Sequence, residues 1–391
     1  MVNTPERGFR VSEFEARLQR VQSLMAADGL DGILLMTEPE VRYFSGFHTL
    51  FWQSPTRPWF LFIPIDGKPI AVIPEIGAAL MRETWIEDIR TWSAPSPDDD
   101  GISLLLDLLI PLSKRSARLG IMKGHETSLR MPLADYERLM ASLPGLDLVD
   151  ATSMIRSLRM VKSEAEIEKI AHICTIASNA FARANEIFYE GQPFAEVFRA
   201  FRMECLAQGA DDVPYLAGGA DIGGYQDIIS PPSQRLLQKG DILMLDTGAT
   251  FDGYYCDFDR NYAIAKDDEL SRRAHDTLWR ATEAGLAVAK PGTTCRELFQ
   301  AMAKVIAEMD CPEGDVGRMG HGLGMQLTEQ PSHAAFDETV LEENMVITLE
   351  PSLGYGDGRI MVHEENIVVQ NGAPRLLSKR ADQVLPIIGR S

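Results

Sequence analysis

The chain is 391 residues long, above the roughly 100–200 residues of a single domain, so two domains with a sizeable core are expected. Its 45% hydrophobic and 24% charged residues exclude a disordered or fibrous chain. The excess of 57 acidic over 38 basic side chains gives a formal charge of -19, a field that disfavours nucleic acid and anionic membrane surfaces as partners.

From the N-terminus, residues 1–10 are polar and lack the apolar core of a leader, and no later apolar run reaches the ~20 residues that span a bilayer. A cytoplasmic location is expected. Cys174, Cys205, Cys256, Cys295 and Cys311 lack the paired spacing of a zinc-thiolate site or a disulfide framework, and are expected to be reduced and mostly buried.

Ser12-Glu13-Phe14-Glu15 has the form of a capping box, and Leu18, Val21, Leu24 and Met25 follow at helical spacing. Gly29 should end that helix, and residues 32–36 should form a buried strand. Residues 59–64 and 69–74 read as strands joined at Asp66-Gly67-Lys68, because Asp-Gly supplies the positive φ of a tight hairpin. The prolines and adjacent aspartates of residues 95–101 read as solvated loop rather than a cation site. Residues 1–155 are therefore expected to form an α/β domain.

Beyond a boundary near residue 155, Ser163-Glu164-Ala165-Glu166 is a second capping box, and the apolar spacing that follows predicts one helix over 167–187. Residues 241–247 and 262–265 read as strands around the turn Asp252-Gly253, residues 269–289 and 295–309 as helices, and residues 345–349 and 366–369 as strands. The second domain, residues 156–391, is thus α+β.

Asp246 and Asp257 flank that hairpin turn, so both carboxylates can reach one point. His321 lies in Gly320-His321-Gly322-Leu323-Gly324, where glycines permit close backbone approach. Glu350 and Glu364 adjoin apolar strand-like runs, and carboxylates in such surroundings need partners. Four carboxylates and one imidazole suit two divalent ions sharing bridging carboxylates. Such ions polarise a carbonyl and activate water.

Asp246-Thr247-Gly248, Tyr255-Cys256-Asp257-Phe258-Asp259-Arg260, the glycine-rich His321 segment, Glu350-Pro351 and Glu364-Glu365-Asn366 together resemble the pita-bread metallopeptidases: methionine aminopeptidase, aminopeptidase P, prolidase and their relative creatinase. Arg42-Tyr43-Phe44-Ser45-Gly46-Phe47 resembles the N-terminal domain shared by creatinase and prolidase. The resemblance implies that Asp246 chelates one ion, Asp257 and Glu364 bridge both, and His321 and Glu350 complete the other's sphere. It implies manganese, iron, cobalt or zinc, with manganese or iron favoured, and a homodimer. Glu350 and His321 become the candidate catalytic residues. Hydrolysis of an amide-like C-N bond, as in an Xaa-Pro dipeptide, is the expected reaction, with Glu350 moving the proton.

Peptidases of this family carry two further histidines that orient substrate. Here one position is Thr328 and the other falls near Ile229, where there is no histidine. The resemblance therefore leaves open a lyase of the dimethylsulfoniopropionate-cleaving type, a creatinase-like hydrolase, and a non-enzymatic binding protein. His48 and Trp52 lie in a loop that reaches the partner subunit's site in similar proteins. Together with Thr328 and His363 they are the candidate substrate-binding residues. Cys256 is expected to be a small buried strand residue. Asp259 and Arg260 either hold a ligand carboxylate in place or form a strand-end salt bridge.

Overall fold

The helix Val11–Asp28 buries Phe14, Leu18, Val21 and Met25 along one stripe, as their spacing requires, and ends on Gly29 at φ 66°. Its start differs from expectation. The cap is Arg10, without a side-chain bond, and Ser12 already lies inside the first turn. With the helix already begun at Val11, Ser12 is not in the N-cap position and its box with Glu15 does not form; Arg17 instead pairs with Glu13 one turn back, at 3.1 Å. This structure is a computed structural model describing residues 4–54, 57–309 and 317–389; Cys311 lies outside the described residues.

The chain divides into two units, Glu6–Arg159 and Met160–Ser391. The first is built on a six-stranded mixed sheet. Phe60–Pro64 and Ile70–Pro74 pair antiparallel around Gly67 at φ 93°, and Gly32–Leu35 joins them to the parallel strands Arg118–Ile121 and Asp147–Asp150. Asp99, in the acidic loop, accepts the backbone N–H of Ser103 at 2.8 Å and so secures the start of the helix Ile102–Lys114.

In the second unit Ser163 and Glu166 do form a capping box at the head of the helix Glu164–Ala182. That helix stops earlier than its apolar pattern suggests, and Ala184–Ile187 is a separate turn. Arg183 breaks the run, its guanidinium drawn to both Glu186 and Glu204. The strand Asp241–Phe251 lies between Asp212–Ile222 and Phe258–Ile264 in a five-stranded sheet. Asp252 and Gly253, at φ 46° and 63°, turn it back on itself as the Asp-Gly pair requires.

A further five-stranded sheet runs in the order Glu329–Ser332, His321–Gly322, Val346–Leu349, Glu365–Val368, Arg375–Leu376. Its register pairs Leu349 with Glu365, so Glu350 and Glu364 leave the ladder at the same end. The helices Glu269–Val288 and Cys295–Ile306 pack apolar residues such as Ala281, Leu298 and Met302 against Ile347, Leu349 and Ile367. Among the described residues no helix is long and apolar enough to cross a membrane.

Candidate metal centre

All five residues proposed from the sequence converge. Asp257, His321 and Glu364 are buried, and each offers an atom within 4.8 Å of the others. His321 Nε2 lies 3.5 Å from Asp257 Oδ2 and 3.9 Å from Glu350 Oε2. Asp246, Asp257, His321 and Glu350 line one cleft of about 300 Å³, together with Thr328.

Three of the ligand candidates, His321, Asp246 and Glu364, are held by further interactions. His321 Nδ1 is 2.9 Å from the Gly322 carbonyl, which makes Nδ1 the protonated nitrogen and leaves the Nε2 lone pair facing the carboxylates. Its backbone N–H donates to Thr348 Oγ1 at 3.0 Å. Tyr215 donates to Asp246 Oδ2 at 3.1 Å. The Glu364 carbonyl accepts from Arg260 at 3.0 Å. The glycines around His321 serve close packing. A Cβ on Gly320 would sit 2.4 Å from the Thr348 carbonyl oxygen, and one on Gly322 would sit 2.1 Å from that of Gln330.

The charges do not balance within the protein. Burial pushes the Asp257 and Glu364 carboxyls well above their usual range, and the neighbouring carboxylates raise them further. Glu350 is pushed up to about 8 by burial and then by Asp246. Asp246 rises to about 6, again through burial. His321 is held neutral, down to about 4, by burial and the field of Arg318. Asp246 Oδ1 and Glu364 Oε1 are buried and accept no hydrogen bond. Clustered anionic oxygens without donors, beside a neutral imidazole with its lone pair free, are the donor set that divalent cations complete. The residues present therefore fit the expected metal.

With this geometry in view, comparison with known proteins is decisive. The profile of metallopeptidase family M24 matches residues 168–371, and that of the Creatinase/Prolidase N-terminal domain matches residues 17–161. The chain belongs to metallopeptidase family M24. As an M24 protein it is a metal-dependent hydrolase by class, with the pita-bread catalytic fold behind a creatinase-type N-terminal domain. An Xaa-Pro dipeptidase of Pyrococcus furiosus is 25% identical over 371 residues, covering 92% of this chain and 97% of its own. The probable dipeptidase PepE of Mycobacterium tuberculosis is 28% identical over 364 residues, covering 93% of each. The crystal structure of dipeptidase PepE from Mycobacterium ulcerans superposes with a TM-score of 0.83 at 26% identity, over 97% of this chain and 99% of that one.

The remaining sequence candidates are placed as follows. Thr328 lines the cleft. His363 does not; its ring bonds to Thr282 Oγ1 at 3.0 Å and Arg380 at 3.2 Å, and lines a separate cavity of about 210 Å³ with Asp259 and His275. In the N-terminal unit His48 is exposed, while Trp52 is buried against Phe47 and Trp59 with the Arg130 guanidinium 4.8 Å from its ring centre. Cys256 is fully buried with its thiol pushed up well beyond its usual range by burial, so it offers no thiolate. Arg260 pairs with Glu365 at 3.0 Å, while the Asp259 carboxylate accepts from Asn261 at 2.7 Å.

Tyr215, Arg318 and Thr348 also build the site and were not singled out from the sequence, and Asn366 stood there only as part of the Glu364-Glu365-Asn366 motif. Asn366 alone gave a usable sign, as a polar side chain beginning an apolar strand run.

Proposed function

We propose that the protein is a dinuclear metal-dependent dipeptidase that cleaves the amide bond of a small Xaa-Pro-like substrate. The observation that carries this reading is the cluster of Asp246, Asp257, Glu350 and Glu364 around neutral His321, with buried oxygens lacking donors. Asp246, Asp257, His321, Glu350 and Glu364 would hold two ions, manganese or iron in preference to cobalt or zinc. Bound there, the ions supply Lewis acidity that polarises the scissile carbonyl and makes water acidic.

The protein's own residues supply orientation and proton movement. Glu350 is partly exposed at the cleft, unlike Asp257 and Glu364, so it is the carboxylate with access to both water and substrate. It takes the proton from water and returns it to the leaving nitrogen. The apolar side chains of Leu327, Ile360 and Met361 line the same cleft and offer a surface for a substrate's apolar groups. The relatives' names, Xaa-Pro dipeptidase and dipeptidase, support the same chemistry here. A homodimer in the cytoplasm belongs to this reading; the four described cysteines are free and buried, as a reducing compartment allows.

The test is metal analysis of protein purified without chelators, alongside alanyl-proline hydrolysis. About two ions per chain with release of free proline is the expected outcome. Thr328, where family peptidases carry histidine, favours one second reading, a metal-dependent lyase. An alkene product formed without incorporation of labelled water would establish it.

A further inference from the structure

The ligand candidates stand beside two different sheets, and one side chain crosses between them. Arg260 lies on the strand Phe258–Ile264, just beyond Asp257. One terminal nitrogen of its guanidinium donates to the Glu364 carbonyl at 3.0 Å, and the other donates to Glu365 Oε2 at 3.0 Å. A planar fork with both prongs engaged fixes direction as well as distance.

Glu365 is itself held from the far side. Its Oε1 accepts from Arg380 at 3.1 Å and from the Ala381 N–H at 2.8 Å, while Ser378 donates to its Oε2. Arg380 also donates to Glu283, to the Trp279 carbonyl and to His363 Nε2, which ties the strand Glu365–Val368 to the helix Glu269–Val288. These bonds grip the backbone on both sides of Glu364 and leave its Oε1 without a donor.

Stability alone does not account for the arrangement. Glu365 is fully buried between two guanidiniums, and apolar side chains often replace such a buried ion triad with no loss of stability. What apolar packing does not reproduce is a fixed orientation. Asp257, on the Arg260 side, and Glu364, beside Glu365, each offer an oxygen within 4.8 Å of the other.

We infer that Arg260, working against a Glu365 clamped by Arg380, is a positioning residue that sets the separation of Asp257 and Glu364, and through it the spacing and affinity of the two ions. This rests on the metallopeptidase reading above, in which both carboxylates are shared between the ions. Arg260 and Arg380 line the second cavity rather than the cleft, so they act on the reaction through the ligands and not through substrate.

The experiment compares the native protein with Arg260→Met and Arg260→Lys. Glu365 keeps Arg380 as its counter-ion in both, so neither variant buries a lone carboxylate. The readouts are the denaturant midpoint in chelator, the affinity for manganese by calorimetric titration, and electron paramagnetic resonance of the loaded protein, which reports the magnetic coupling between neighbouring ions and so their spacing. Both variants should unfold cooperatively in chelator, bind manganese about 10- to 100-fold more weakly than the native protein, and show an altered coupling. Arg260→Lys keeps the charge without the fork, so its affinity should stay within about 3-fold of that of Arg260→Met. A merely structural role would lower the midpoint and leave affinity and coupling unchanged in the folded protein. That result, or a lysine variant that matches the native protein, overturns the inference. If Arg260→Met does not unfold cooperatively, Arg260→Lys decides by the same affinity and coupling. A native protein that takes up no manganese removes the metallopeptidase reading and this inference with it, whereas native uptake with unchanged variants overturns the positioning role alone.

Discussion

The side-chain amide of Asn366 forms a closed pair with the backbone of Asp257. Its Oδ1 accepts the Asp257 N–H at 2.9 Å and its Nδ2 donates to the Asp257 carbonyl. A buried residue from one sheet thereby fixes the turn that presents a carboxylate beside the other. Asn366→Leu keeps the volume but leaves both backbone groups without partners. We expect a loss of ~1–3 kcal/mol per unsatisfied group, seen as a lower denaturant midpoint, together with weaker metal binding. An unchanged midpoint would show that water or a backbone shift replaces the amide.

Asp257→Ala should abolish stoichiometric metal binding, because Asp257 shares the centre with His321 and Glu364. Mass spectrometry of the two proteins, purified side by side without chelators, measures this directly. Equal metal content would remove Asp257 from the ligand set.

Glu350→Gln preserves shape and removes the proton acceptor. A fall in kcat of about 10²- to 10⁴-fold is expected with little change in substrate affinity. Equal losses in both would reassign Glu350 to binding alone.

The pH response should differ between metal-free and loaded protein. In the metal-free fold burial raises Asp246 to about 6, and burial together with the charge of Asp246 raises Glu350 to about 8. Groups raised above their unfolded values favour the folded state below the unfolded carboxylate pKa, and that stability is lost as pH rises through the folded values. Melting temperature in chelator should therefore fall between about pH 5 and about pH 8. Manganese, which needs the deprotonated groups, should restore it most at the alkaline end. Parallel melting curves with and without the ion would count against the centre.

Much of this site was legible in the sequence because its chemistry is carried by residue types in a fixed order. Asp246 and Asp257 announce themselves by the Asp252-Gly253 turn between them, and His321 by its glycines. The strand Asp212–Ile222, which brings Tyr215 to Asp246, was not legible, since Pro214, Gly218 and Gly219 weaken a strand reading. The structure gives the reason for those glycines. A Cβ on Gly218 would meet the Met244 carbonyl at 2.5 Å, and one on Gly219 the Asp227 carbonyl at 2.7 Å. Arg318 has no periodic partner and no motif of its own, so only three-dimensional placement distinguishes it from a solvated surface arginine. Ser12 failed in the opposite sense: a valid local pattern did not set the boundary, because the helix begins one residue earlier, at Val11 behind Arg10.

The two sheets of the second unit each bring an incomplete set, with Asp246 and Asp257 beside one and His321, Glu350 and Glu364 beside the other. The set closes only when the strand Glu365–Val368 has joined Val346–Leu349. A nascent chain that has not yet reached Glu364 therefore has no complete centre, and tight ion capture has to wait until both sheets are assembled. Premature truncation would yield a protein unable to retain its ions, however well its earlier strands had folded.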